Sequence, residues 1–158
     1  MATGPFLILR NRDLTLITEE LLKKNTANIR CALGDNIQWT YEARYGVMLS
    51  EFAQNKSADV YDKLVPMFQF QWDDKAAKKL PKALKGELKD LARVGKNQKL
   101  LFIPQHDNTP AIAAFWWPWG HGGTYSLRLK VLENAITVDD MHEPKRGFLA
   151  RLISWIRR

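Results

Sequence analysis

Few side chains in these 158 residues can exchange protons near neutral pH: His106, His121 and His142 are the only histidines. Two imidazoles acting as general acid and general base on a basic body would suit cleavage of RNA. His106 and His121 are therefore candidate catalytic residues, against the simpler reading of histidines on surface loops. A metal site needs three or four converging ligands, and no His or Cys spacing of a zinc site occurs, so neither a metal nor a cofactor is expected. There is no GxSxG nucleophile turn. There is no GxxxxGK[ST] phosphate loop either, since Gly95-Lys96 stands without the rest of that motif. Cys31 is the sole cysteine, so no internal disulfide forms. It sits in an alternating pattern that predicts core packing.

Anion binding is better represented than catalysis. The net charge is +7 and unevenly spread. Residues 75–99 hold nine Lys/Arg against Glu87 and Asp90, residues 145–158 hold five and no acid, and the remainder is mildly acidic. Within the first segment Lys78, Lys82, Lys85, Lys89, Arg93 and Lys96 step by three or four residues, as along one side of a helix. Such a stripe could follow the phosphates of nucleic acid or lipid, or could serve only as a solvated face. No aromatic residue interleaves with it, which weakens base stacking as a binding mode. Gly120-His121-Gly122-Gly123-Thr124-Tyr125 with Arg128 resembles small ribonuclease toxins, which implies a His and an Arg flanking a scissile phosphate and adds Arg128 to the candidate catalytic residues.

The second basic segment is an amphipathic tail. Phe148, Leu149, Leu152, Ile153, Trp155 and Ile156 share one broad helical face, with Arg151, Ser154, Arg157 and Arg158 opposite. Pro144 can open this helix, and acids before it with arginines at its end suit the helix dipole. A helix this short is marginal alone in water and needs a surface. That surface is an anionic membrane, the protein's own core or a partner. Lys145-Arg146-Gly147-Phe148-Leu149-Ala150-Arg151-Leu152 resembles the membrane-targeting tail of the bacterial cell-division ATPase family MinD. Ser154-Trp155-Ile156-Arg157-Arg158 is similar to the tail of FtsA. The resemblance covers residues 145–158 only and implies reversible contact with the inner membrane surface through Lys145, Arg146, Phe148, Leu149, Arg151, Leu152, Trp155, Ile156, Arg157 and Arg158. Without a phosphate loop in the body, it implies no ATPase activity.

The elements that must position these residues follow from periodicity. Phe6–Arg10 reads as a short strand. A helix follows from Asp13 or Thr15 to Lys24, with acids early and lysines late. Ile29, Cys31 and Leu33, then Ile37, Trp39 and Tyr41, alternate with polar residues and predict a β-meander from Ala27 to Phe52. Leu64–Trp72 reads as a further strand. Asp74–Val94 gives the clearest helical signal, with Ala77, Leu80, Leu84, Leu88 and Leu91 on one face, Pro81 suited to a first turn and Gly95 as the stop. Leu100–Ile103, Ala111–Trp117 and Tyr125–Leu132 read as strands, the last two joined by a hairpin loop at residues 118–123. Ile136–Val138 could add an edge. Phe115-Trp116-Trp117-Pro118-Trp119 demands either a sheet buried on both sides or an exposed aromatic tip.

The expected fold is one α+β domain over residues 1–144, with a mainly antiparallel sheet, two or three helices on one side of it, and the helix 145–158 appended. The content of 46% hydrophobic and 26% charged residues is that of a soluble globular chain. Its longest apolar run, Ala111–Trp119, is too short to span a bilayer, and Met1–Phe6 lacks the start of a signal peptide. A cytoplasmic location is expected, at the inner face of the membrane if the tail binds lipid. The functional expectation is a non-enzymatic bacterial accessory or regulatory protein. It would bind a protein partner, not identifiable from the sequence, and attach peripherally to an anionic membrane. The alternatives are a nucleic-acid-acting protein such as a toxin-like ribonuclease, and an immunity or inhibitor protein that blocks a partner.

Overall fold

The computed structural model describes residues 11–142. Its centre is a six-stranded sheet. The strands are β1 (Thr40–Glu42), β2 (Val47–Ala53), β3 (Phe70–Trp72), β4 (Lys99–Ile103), β5 (Ile112–Pro118) and β6 (Thr124–Val131), in spatial order β1-β2-β6-β5-β4-β3. Every pairing is antiparallel. Five α-helices accompany it among the described residues: α1 (Asn11–Asn25), α2 (Ala27–Leu33), α3 (Gln54–Leu64), α4 (Lys82–Leu88) and α5 (Val138–Met141). The class is α+β, as expected, with more helices than the two or three anticipated.

The helices do not lie on one side. Alternation along the central strands sends successive side chains to opposite faces, and both faces are covered. Leu101, Ile112, Ala114, Trp116, Leu127 and Leu129 meet Leu22, Ile29, Leu33, Val60 and Leu64 from α1, α2 and α3. Leu100, Phe102, Ala113 and Phe115 meet Leu80, Leu84, Leu88 and Leu91 around α4 on the other face. This resolves the aromatic run: Phe115 and Trp116 are both buried, one in each core, while Trp119 in the hairpin loop is exposed. Full burial of each large apolar side chain contributes about 1.5–3 kcal/mol.

Several local expectations are corrected. Ala27–Leu33 is a helix, not a strand. Ile29 and Leu33 stand four apart and enter the core together, a spacing that satisfies an alternating strand and a helix alike. Thr26 ties α2 to α1: its buried hydroxyl donates to the Leu22 carbonyl and accepts from Arg30 Nε. Cys31 is consequently exposed and not in the core. Leu64–Trp72 is a strand only over Phe70–Trp72, because Leu64 ends α3 and Val65–Met67 forms a 3-10 turn around Pro66.

The helix expected over Asp74–Val94 is broken. Asp73 Oδ1 accepts from the amides of Lys75 and Ala76 and starts a 3-10 turn at Ala76–Lys79. Pro81 then precedes α4, and a second 3-10 turn, Lys89–Ala92, ends the segment before Gly95. Ile136–Val138 forms no strand. Ile136 is buried with its carbonyl accepting from the Gln105 amide, and Thr137 with Asp140 makes a capping box for α5. The strand expected at Phe6–Arg10 and the tail helix lie outside the described residues.

Candidate anion-binding site

The basic segment is held down by its leucines, which leaves its cations outside. Leu80, Leu84, Leu88 and Leu91 are buried against the sheet, and Lys78, Lys82, Lys85, Lys89, Arg93 and Lys96 are all exposed. They do not form one straight helical stripe. Lys78 lies on the turn before α4, Lys82 and Lys85 on α4, and Lys89 begins the turn after it with φ 52, in the left-handed region. That backbone angle swings the path of the chain. Arg93 and Lys96 follow on the approach to β4.

Behind this bend is a cleft of about 600 Å3, lined by α4 and the turn after it, the β1–β2 turn, and the end of β6. It holds Arg44, Tyr45, Glu87, Lys89, Lys130 and Glu133. Gly46, at φ 60, closes the β1–β2 turn. Tyr45 before it accepts from Lys130 Nζ through its carbonyl at 2.8 Å. Burial pushes the Lys130 ammonium below the usual lysine range, against the opposing pull of Glu133 and Glu87 and with a smaller push from Lys89. Arg44 lies over the Tyr45 ring at 4.9 Å. Glu87 is committed elsewhere: its Oε1 accepts from the Glu133 and Asn134 amides, and its Oε2 from Asn134 Nδ2 at 2.6 Å. The Asn134 side-chain bond is the largest influence holding Glu87 below the usual carboxylate range.

The candidate catalytic residues are not brought together. His106 follows β4, whose end pairs with the start of β5, and His121 lies in the turn after β5. The seven residues of β5 put roughly 20 Å of strand between them. His106 Nδ1 lies 2.9 Å from Asp107, both side chains exposed. His121 Nδ1 accepts from the Gly123 amide and its ring meets Trp119, while His142 sits edge-on to Phe70.

Arg128 is engaged inside the fold. Its Nε donates to Glu42 at 2.8 Å, its Nη1 donates to Ser126 Oγ, and its guanidinium stacks 4.6 Å from the Trp117 ring. Among the described residues, no group of three His, Cys, Asp or Glu is placed to hold a metal ion.

Sequence reasoning found the exposed cations but missed Arg44 and Lys130. The available signal was in β6, where Ser126, Arg128 and Lys130 occupy every second position and mark one face of that strand as polar. The proposed membrane-binding residues, from Lys145 to Arg158, lie outside the described residues. No described helix is long and apolar enough to cross a membrane. Compared with known proteins, the chain matches no family model, no curated protein and no solved structure.

Proposed function

We propose that the protein is a non-enzymatic bacterial accessory or regulatory protein. It would act in the cytoplasm, sit reversibly at the anionic inner face of the membrane and offer its α+β body to a protein partner. The observation that carries this reading is the array of exposed cations, Lys78, Lys82, Lys85, Lys89, Arg93 and Lys96, displayed around α4 on one side of the sheet. Each cation near an anionic leaflet contributes on the order of 1 kcal/mol, screened by salt. The tail sequence adds what the array lacks, an apolar face with Phe148, Leu152, Trp155 and Ile156 that can enter the headgroup boundary.

The same array would also accept the phosphates of a nucleic acid. The ribonuclease form of that alternative loses support from the roughly 20 Å of β5 between His106 and His121. Sedimentation with phosphatidylglycerol vesicles tests the membrane reading. The full chain is expected to pellet with the vesicles, and a chain ending at Glu143 is expected to remain largely in solution. Equal binding by both would contradict the role given to the tail.

A further inference from the structure

We propose that the cleft between α4, the β1–β2 turn and β6 is a binding site for a phosphate group, held by Lys130, Arg44 and Lys89. This stands on the geometry of the cleft and not on the membrane reading. The lining carries three cations, and none of them has an ion-pair partner within 4 Å among the described residues.

Lys130 is the most informative. Its ammonium is half-buried and has one hydrogen bond, to the Tyr45 carbonyl, so two of its three N–H donors lack a partner among the described residues. Burial of this charge is costly, and an anion in the cleft adds to the offset that Glu133 and Glu87 provide. Arg44 offers a planar set of donors suited to two oxygens of one phosphate, with the Tyr45 ring beneath it. Lys89 is held at φ 52, a conformation that a residue with a side chain adopts only when its surroundings impose it.

The acids nearby do not occupy the same role. Both oxygens of Glu87 are taken by the Glu133–Asn134 turn. Glu133 and Asp90 line the cleft as exposed carboxylates, and neither lies within ion-pair distance of its cations. A phosphomonoester carries a charge of about −1.5 to −2 near neutrality and three acceptor oxygens, which answers three cations better than a single carboxylate does. The volume of about 600 Å3 leaves room for the organic part of a small phosphorylated molecule or a lipid headgroup.

The experiment uses the full chain, titrated with inorganic phosphate and with glycerol phosphate at constant ionic strength and followed by calorimetry. Saturable binding is expected, weakened at least about tenfold by Lys130→Met and by Arg44→Gln. Lys24→Gln, an exposed lysine on α1, should bind as the native chain does. Arg44 is exposed, so its variant keeps the test decisive if Lys130→Met folds poorly. Vesicles carrying phosphatidic acid, a lipid phosphomonoester, form the second arm. Weaker vesicle binding by Arg44→Gln assigns the site to a lipid headgroup, and unchanged vesicle binding assigns it to a soluble phosphate. Absence of saturable phosphate binding, or equal affinity of the native chain and Arg44→Gln, would overturn the proposal. A tail that fails to bind vesicles leaves this result untouched.

Discussion

The two faces of the sheet are built to different ends, and β6 displays the contrast within eight residues. Tyr125, Leu127, Leu129 and Val131 point to the face covered by α1, α2 and α3, where Phe52, Tyr61, Trp116 and Tyr125 also pack ring against ring. Ser126, Arg128 and Lys130 point the other way. On that second face α4 covers the strip over β3, β4 and β5 with leucine. Toward β2 and β1 the apolar cover gives way to Glu42, Arg128 and the cleft. The first face carries a continuous apolar and aromatic core. The second divides its area between a core and charged groups, and every described residue proposed to bind an anion belongs to it or to the segment lying on it.

The largest expected effects test whether the two cores carry comparable weight. Leu101 lies in the first core and Phe115 in the second, both fully buried. Leu101→Ala should cost about 2–5 kcal/mol and Phe115→Ala about 3–5 kcal/mol, measured by urea unfolding. A cost below about 1 kcal/mol at Phe115 would mean that the second face is not a true core.

A smaller effect, about 1.5–3 kcal/mol, is expected for Arg128→Ala, which leaves the partly buried Glu42 carboxylate without its ion-pair partner. The double variant with Glu42→Gln should recover part of that loss. Additive losses would show that the pair is not coupled.

Smaller again is Glu87→Gln, about 1 kcal/mol at pH 7, from weakened acceptance of the Glu133 and Asn134 amides. The Glu87 carboxyl is held below its ordinary value of 4.5, so its contribution is present above that pH. It is lost as pH falls through the lowered value in the folded state. The difference between native and Glu87→Gln proteins should therefore shrink toward zero in acid, and a difference independent of pH would refute the assignment.

The strands from Lys99 onward were legible because simple alternation fixes each side chain's face, with β4 and β5 apolar on both faces and β6 on one. The leucines around α4 were legible for the same reason, at helical spacing. The break after Leu88 was not, because the residue type of Lys89 gives no sign of its positive φ, and Leu88 and Leu91 on either side are buried as a continuous helix would bury them. Ala27–Leu33 reads as a strand because Ile29 and Leu33 fit both periods, and the apolar Cys31 between them, exposed on the helix, completes an alternation. α3 gave little signal, with Val60 and Leu64 its only buried residues.

At the candidate site, the exposed lysines could be read from composition. The cleft could not: Tyr45 and Lys130 are 85 positions apart and meet only through the pairing of β2 with β6. Cys31 shows the converse, a residue whose expected burial failed once its element proved helical.

The central claim, that the cationic side of the molecule and its tail together meet an anionic surface, is tested most directly by one vesicle titration. The native full chain is compared with a full chain carrying Lys78→Gln, Lys85→Gln, Arg93→Gln and Lys96→Gln, at low and at physiological salt. The account predicts that the native protein binds phosphatidylglycerol vesicles at low salt and loses affinity as salt rises. The variant should bind at least about tenfold more weakly at low salt with a shallower salt dependence. Identical affinity and identical salt dependence of the two proteins would contradict it.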